Sequence, residues 1–125
     1  EAAIIVCAGD RLHAVELEPG LHLMTNGDLD DPDDRRLAVA RDLIGASRPA
    51  DAAEFITRTA EVCRHPGVVL REDDRGTVSS DQIALTALAA DAIYRHAPGA
   101  PDRQPYEDRS ALLRELLGGR AVSGT

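Results

Sequence analysis

Aromatic side chains are almost missing from this chain, which has no Trp, two Tyr and one Phe in 125 residues. A core built here cannot be organised around large rings, and Leu, Ile, Val and Ala must fill it. Lysine is missing altogether, so all 14 basic residues are Arg, against 22 acidic ones, for a formal net charge of -8. A surface of that sign repels phosphates, which argues against nucleic acid and anionic membrane as partners. No apolar run approaches the roughly 20 residues that span a bilayer. The opening Glu1-Ala-Ala-Ile-Ile-Val-Cys lacks the basic start of a signal peptide, so the expected location is the cytoplasm. Cysteine is scarce too: Cys7 and Cys63 have no zinc-type spacing and cannot make a disulfide framework. Both are expected to be reduced, buried, small core residues.

What is present is a succession of short periodic segments. Ala2 to Ala8 is a nearly continuous apolar run, which predicts a strand buried on both faces. Gly9-Asp10 marks a turn, Arg11 to Leu17 alternates polar with apolar, and Pro19-Gly20 marks a reversal before Leu21 to Thr25. The expectation is a three-stranded antiparallel meander. Pro32 then lies near a helix start, with Asp33 and Asp34 in the first turn, where carboxylates suit the positive end of the helix dipole. Leu37, Ala40, Leu43 and Ile44 recur at helical spacing up to Gly45. Asp51 is a good N-cap for a second helix, with Glu54 as its capping-box partner, Phe55, Ile56, Thr59, Val62 and Cys63 on its apolar face, and His65-Pro66-Gly67 as its stop.

Further on, Gly67 to Leu70 reads as a strand and Glu72 to Gly76 as an exposed turn. Residues 77–96 are ambiguous from periodicity alone, because Ile83, Leu85, Leu88, Ala89 and Ala92 also fit a helix capped by Asp81. Pro98, Pro101 and Pro105 force an irregular segment, and a last helix is expected from about Tyr106 to Leu117, ending at Gly118-Gly119. Residues 118–125 are expected to form a tail, disordered from Ala121 onward. There is no internal repeat. Strands, two helices, strands and one helix in that order predict layered α+β packing rather than a parallel doubly wound sheet.

Few groups carry an obvious chemistry. The acidic cluster Asp28, Asp30, Asp31, Asp33 and Asp34 fails the EF-hand pattern, which needs Gly at position six and Glu at twelve. Counted from Asn26, those places hold Asp31 and Leu37. A solvated turn leading into a helix explains the cluster better, and no metal is expected. His13, His22, His65 and His96 form no close Cys-His or His-carboxylate motif. Neither Cys shows the neighbouring base or cation that would activate a thiol.

Two segments point further. Leu23-Met24-Thr25-Asn26 would deliver one side-chain amide to an acidic turn, and Arg75-Gly76-Thr77-Val78-Ser79-Ser80 places hydroxyls close together. With Tyr94-Arg95-His96-Ala97-Pro98-Gly99-Ala100-Pro101, these segments resemble the C-terminal half of the NRDE-motif family, the transport and Golgi organisation proteins. That family is similar to N-terminal-nucleophile hydrolases of the choloylglycine type. The resemblance resolves residues 77–96 as a strand hairpin, Thr77 to Leu85 and Ala92 to His96, with Ala89-Ala90-Asp91 at the turn.

The resemblance implies a layered αββα sandwich of which residues 1–117 supply roughly half. The initial Cys nucleophile and the Asn-Arg-Asp-Glu motif have no counterpart in this chain, and would lie in a missing N-terminal half. It implies hydrolysis of an amide or acyl bond in a small molecule without a cofactor. In that scheme Asn26 is the catalytic oxyanion donor, and Thr25, Thr77, Ser79 and Ser80 contact substrate. Eukaryotic members carry Arg where this chain has Val78. Asn26-Gly27 can equally be a simple turn, and Gly-Thr-Val-Ser-Ser a strand with a polar face. Two other classes stay open: a non-catalytic binding or trafficking protein on the same fold, handling haem or lipid by family analogy, and a structural interaction domain.

Overall fold

The computed structural model describes residues 2–45 and 47–123. They form a mixed α+β structure with three α-helices and two small antiparallel sheets. The first sheet is a hairpin of β1 (Ala2–Ala8) and β2 (Arg11–Leu17), paired in full register from Ala2 opposite Leu17 to Ala8 opposite Arg11. The second has the order β3-β4-β5, with β3 at Ser80–Ala84, β4 at Ile93–Ala97 and β5 at Glu107–Asp108. Helices α1 (Arg35–Ile44), α2 (Ala52–Arg64) and α3 (Ser110–Ser123) complete it.

Local chemistry explains where the helices begin. Asp34 is the N-cap of α1, its carboxylate accepting from Arg36 N at 2.8 Å and Leu37 N at 3.3 Å. The helix therefore starts after the acidic turn rather than at Pro32, and Asp33 and Asp34 lie outside its first turn. Gly45, at φ 76°, ends it as expected. Asp51 caps α2 by accepting from Glu54 N at 2.8 Å, while Glu54 reaches back to Ala50 N at 2.6 Å. Helix α3 runs through Gly118 to Ser123 instead of stopping at Gly118-Gly119. A glycine ends a helix by turning left-handed, and Gly118 does not.

Residues 80–97 form a strand hairpin as expected, with a 3-10 turn at Ala89–Asp91, but its first strand begins at Ser80 rather than Thr77. The register sets Ser80, Gln82 and Ala84 opposite Ala97, Arg95 and Ile93 on one face. That face lies under α2, because the Gln82 amide donates to Ile56 O at 3.0 Å and to Thr59 Oγ1 at 2.6 Å. The core gathers there, with Ile56, Ala60 and Val62 of α2, Leu37 and Ala40 of α1, and Ala84 and Ala97 of the sheet all buried. Helix α3 packs on β4, where Arg114 Nε donates to Ala92 O at 2.9 Å and Ser110 Oγ accepts from Tyr94 N at 3.0 Å.

Three strand expectations are corrected. β1 is not buried on both faces: Ile5 is 67% exposed, and across the hairpin Leu12 is 68% exposed. Its strands pack chiefly on each other, so no layer among the described residues shelters them. Leu21 to Thr25 is not a third strand. Leu23 N donates to Asp30 Oδ1 and Leu23 O accepts from Asp30 N, both at 2.7 Å, so a local loop consumes the groups that a sheet would pair. Gly67 to Leu70 is a turn, since the N–H groups of Val68 and Val69 both return to His65 O. The Glu72 to Gly76 turn is closed by a bridge between Arg71 and Gly76.

Candidate functional site

The hydroxyl segment ends where α2 ends. Thr77 is tied to Leu70 by two bonds: its N–H donates to Leu70 O at 2.8 Å, and its Oγ1 accepts from Leu70 N at 2.9 Å. That leaves the Thr77 hydroxyl hydrogen uncommitted among the described residues. Three residues on, Ser80 begins β3 on the face beneath α2, and its Oγ lies 2.7 Å from the Tyr106 hydroxyl. Between these elements is a cavity of about 160 Å³. Thr77, Ser79 and Ser80 line it, with Cys63 from α2 and Arg36 from α1. Val68, Val69 and Pro101 give it an apolar rim. Arg36 is held in place by donating from Nε and Nη2 to Val68 O, at 2.9 and 2.6 Å.

Tyr106 closes one side of this cluster. The Arg64 guanidinium sits 5.3 Å from its ring centroid, a cation-π contact. Burial pushes the phenol up to about 12, against a smaller downward pull from the Ser80 hydrogen bond, and the neighbouring Cys63 thiol adds to the rise. Tyr106 is therefore a neutral hydroxyl throughout the ordinary pH range. Among the described residues no carboxylate or imidazole lines the cavity. Its chemistry is a thiol, several hydroxyls and one guanidinium, which together suit a carbonyl or carboxyl oxygen.

Three of the five residues singled out in the sequence thus meet here, and two do not. Asn26 lies exposed in a bend. Thr25 donates from Oγ1 to Asp34 and so helps to anchor the cap of α1. Neither lines the cavity. The acidic cluster is likewise consumed locally: Asp31 Oδ1 accepts from Asp33 N at 2.9 Å, Asp34 caps α1, and Asp30 closes the preceding loop. Among the described residues no group of three His, Cys, Asp or Glu side chains is placed to hold a metal ion.

Two features were not foreseen. Cys63 faces the cavity rather than serving only as core filling, and Cys7, on the hairpin, is exposed rather than buried. Asp81 and His96 face each other across β3 and β4, with His96 Nδ1 2.8 Å from Asp81 Oδ1 and Tyr94 OH donating to the same oxygen at 2.9 Å. Those bonds, that of His96 first, hold the Asp81 carboxyl below the usual carboxylate range. The pair sits on a solvent-facing sheet surface and is a cross-strand contact. A larger groove of about 360 Å³ lies beside Phe55, Ile83 and Leu85, but its polar members Asp51 and Thr86 already serve as a helix cap and a turn contact. The smaller cavity is the chemical candidate.

Among the described residues no helix is long and apolar enough to cross a membrane. No known protein-family model, curated protein or solved structure matches this chain.

Proposed function

We propose that this chain supplies the substrate pocket of a protein that binds, and with a complementary half hydrolyses, small molecules carrying an amide or acyl group. The observation that carries the proposal is the convergence of Thr77, Ser79 and Ser80 on one cavity beside Cys63 and Arg36. A carbonyl oxygen there can accept from the free Thr77 hydroxyl and lie near a fixed positive charge. The likeness to the NRDE-motif family and to N-terminal-nucleophile hydrolases belongs to the same proposal. So does a complete αββα sandwich, in which a second half would cover β1 and β2. Exposed Ile5, Leu12 and Val15 support it, because a two-stranded ribbon is marginal on its own.

A second reading, binding without catalysis on the same fold, is favoured by one fact: Asn26 lies away from the cavity. Titration calorimetry of the chain with short N-acyl amides and acyl esters tests the shared part. Saturable binding that weakens at least about tenfold in Thr77→Val supports the pocket, by loss of a buried-site hydrogen bond. Binding indifferent to Thr77→Val and Ser80→Ala contradicts it. With the complementary half present, turnover of an amide or ester that binds in the cavity separates hydrolase from binding protein.

A further inference from the structure

The cavity already contains a nucleophile, and its surroundings narrow the substrate class. We propose that Cys63 accepts the acyl group in this cavity, and that the donor is a short acyl thioester or an activated ester rather than an amide. The inference rests on the reading of the cavity as an acyl pocket, and places the reactive sulfur within this chain instead of in a second half.

The argument runs through the leaving group. Attack by sulfur on a carbonyl carbon forms a C–S bond and moves the carbonyl electron pair onto oxygen. When the carbonyl re-forms, the bond to the leaving group breaks. An amine leaves only if it is protonated, and that needs an acid within reach. Among the described residues no carboxylate or imidazole lines the cavity, and the nearby Tyr106 phenol is too weak an acid. A thiolate or a phenolate leaves without help, taking the electron pair, and the proton lost from Cys63 passes to solvent. The groups that are present fit the other requirement, stabilising the oxyanion. Thr77 has its hydroxyl hydrogen free among the described residues, Ser79 and Ser80 add hydroxyls to the lining, and Arg36 contributes a positive charge. A volume of about 160 Å³ has room for about five water-sized groups, enough for a short acyl chain.

The test starts from a Cys7→Ser chain, which removes the exposed thiol and leaves the cavity intact. It is incubated with S-acetyl-N-acetylcysteamine and with p-nitrophenyl acetate, and followed by intact mass and peptide mapping. One acetyl group should appear per chain, on Cys63, faster than on the same thiol in the urea-unfolded chain. Ser80→Ala should slow acylation by at least about tenfold, consistent with loss of an oxyanion donor, while p-nitroacetanilide should give none. Acetylation elsewhere, or on Cys63 no faster than when unfolded, overturns the inference. The pocket reading is judged separately: a thioether analogue that cannot react should still bind Cys63→Ser. If it binds and Cys63 stays inert, only the covalent step is wrong; if it does not bind, the pocket itself is wrong.

Discussion

Gln82 decides how well the two walls of the cavity are held, and its replacement has a sign that can be worked out. Its side chain is 5% exposed, donates to Ile56 O at 3.0 Å and to Thr59 Oγ1 at 2.6 Å, and leaves Oε1 buried with no partner. Thr59 is one turn before Cys63 on α2, and Ser80 is on the same face of β3 as Gln82, so this amide sets the spacing between thiol and hydroxyls. Leu at this position loses two bonds, together about 2 kcal/mol net, and removes an unsatisfied acceptor that costs ~1–3 kcal/mol. The groups left behind are not orphaned: Ile56 O sits within a helix, and Thr59 Oγ1 also donates to Phe55 O at 2.9 Å. Gln82→Leu should therefore fall within about 1 kcal/mol of the parent, which is ~3–5 °C in Tm for a chain of this length. Gln82→Ala removes the same acceptor but also leaves a void, costing ~2–4 kcal/mol more than Leu. Urea melts at unchanged slope measure both. If Leu is as damaging as Ala, the amide contributes more than its bonds predict, and the account of the α2-to-β3 contact is wrong.

Three further outcomes follow from other parts of the fold. Asp34→Ala removes the cap of α1 and the partner of Thr25, and should lower Tm by several degrees, while Asp34→Asn recovers most of it; equal losses would show that the charge matters rather than the cap. His22 has acceptors at both ring nitrogens, Glu18 O at 2.6 Å and Asp30 Oδ2 at 2.8 Å, and these, the backbone carbonyl first, raise it above the usual imidazole value. Its contribution is fully present below about pH 6.5 and is lost as pH rises through the raised folded-state value, so the Tm gap between parent and His22→Gln should shrink with rising pH; a constant gap would refute it. On the hairpin, a thiol reagent should label Cys7 before Cys63, and Ile5→Ser with Leu12→Ser should change stability by no more than ~0.5 kcal/mol each; larger losses would mean that the ribbon is sheltered after all.

Much of the fold was legible where the decisive interactions are local. The Asp51 and Glu54 caps reach only three or four residues, and so α2 was readable to its ends. The β3-β4 hairpin needed more than periodicity, because Ile83, Leu85 and Leu88 fit a helix as well as a strand. What stayed hidden depends on long-range placement. An apolar run such as Ala2 to Ala8 indicates a strand, but not whether the chain itself supplies its cover. The loss of a third strand turns on Asp30 folding back to Leu23. At the site, Thr77, Ser79 and Ser80 were visible because they are neighbours in sequence. Cys63 was not, since only the packing of α2 over β3 brings it to that cavity, and Tyr106 reaches Ser80 beside it only through the tertiary fold.

The central claim is that this cavity binds an acyl group, and amide-proton NMR of the Cys63→Ser chain during titration with S-acetyl-N-acetylcysteamine tests it most directly. The account predicts saturable shifts centred on Thr77, Ser79 and Ser80, with the groove around Phe55 and Leu85 unmoved. Shifts confined to that groove, or none at saturating probe, would contradict it.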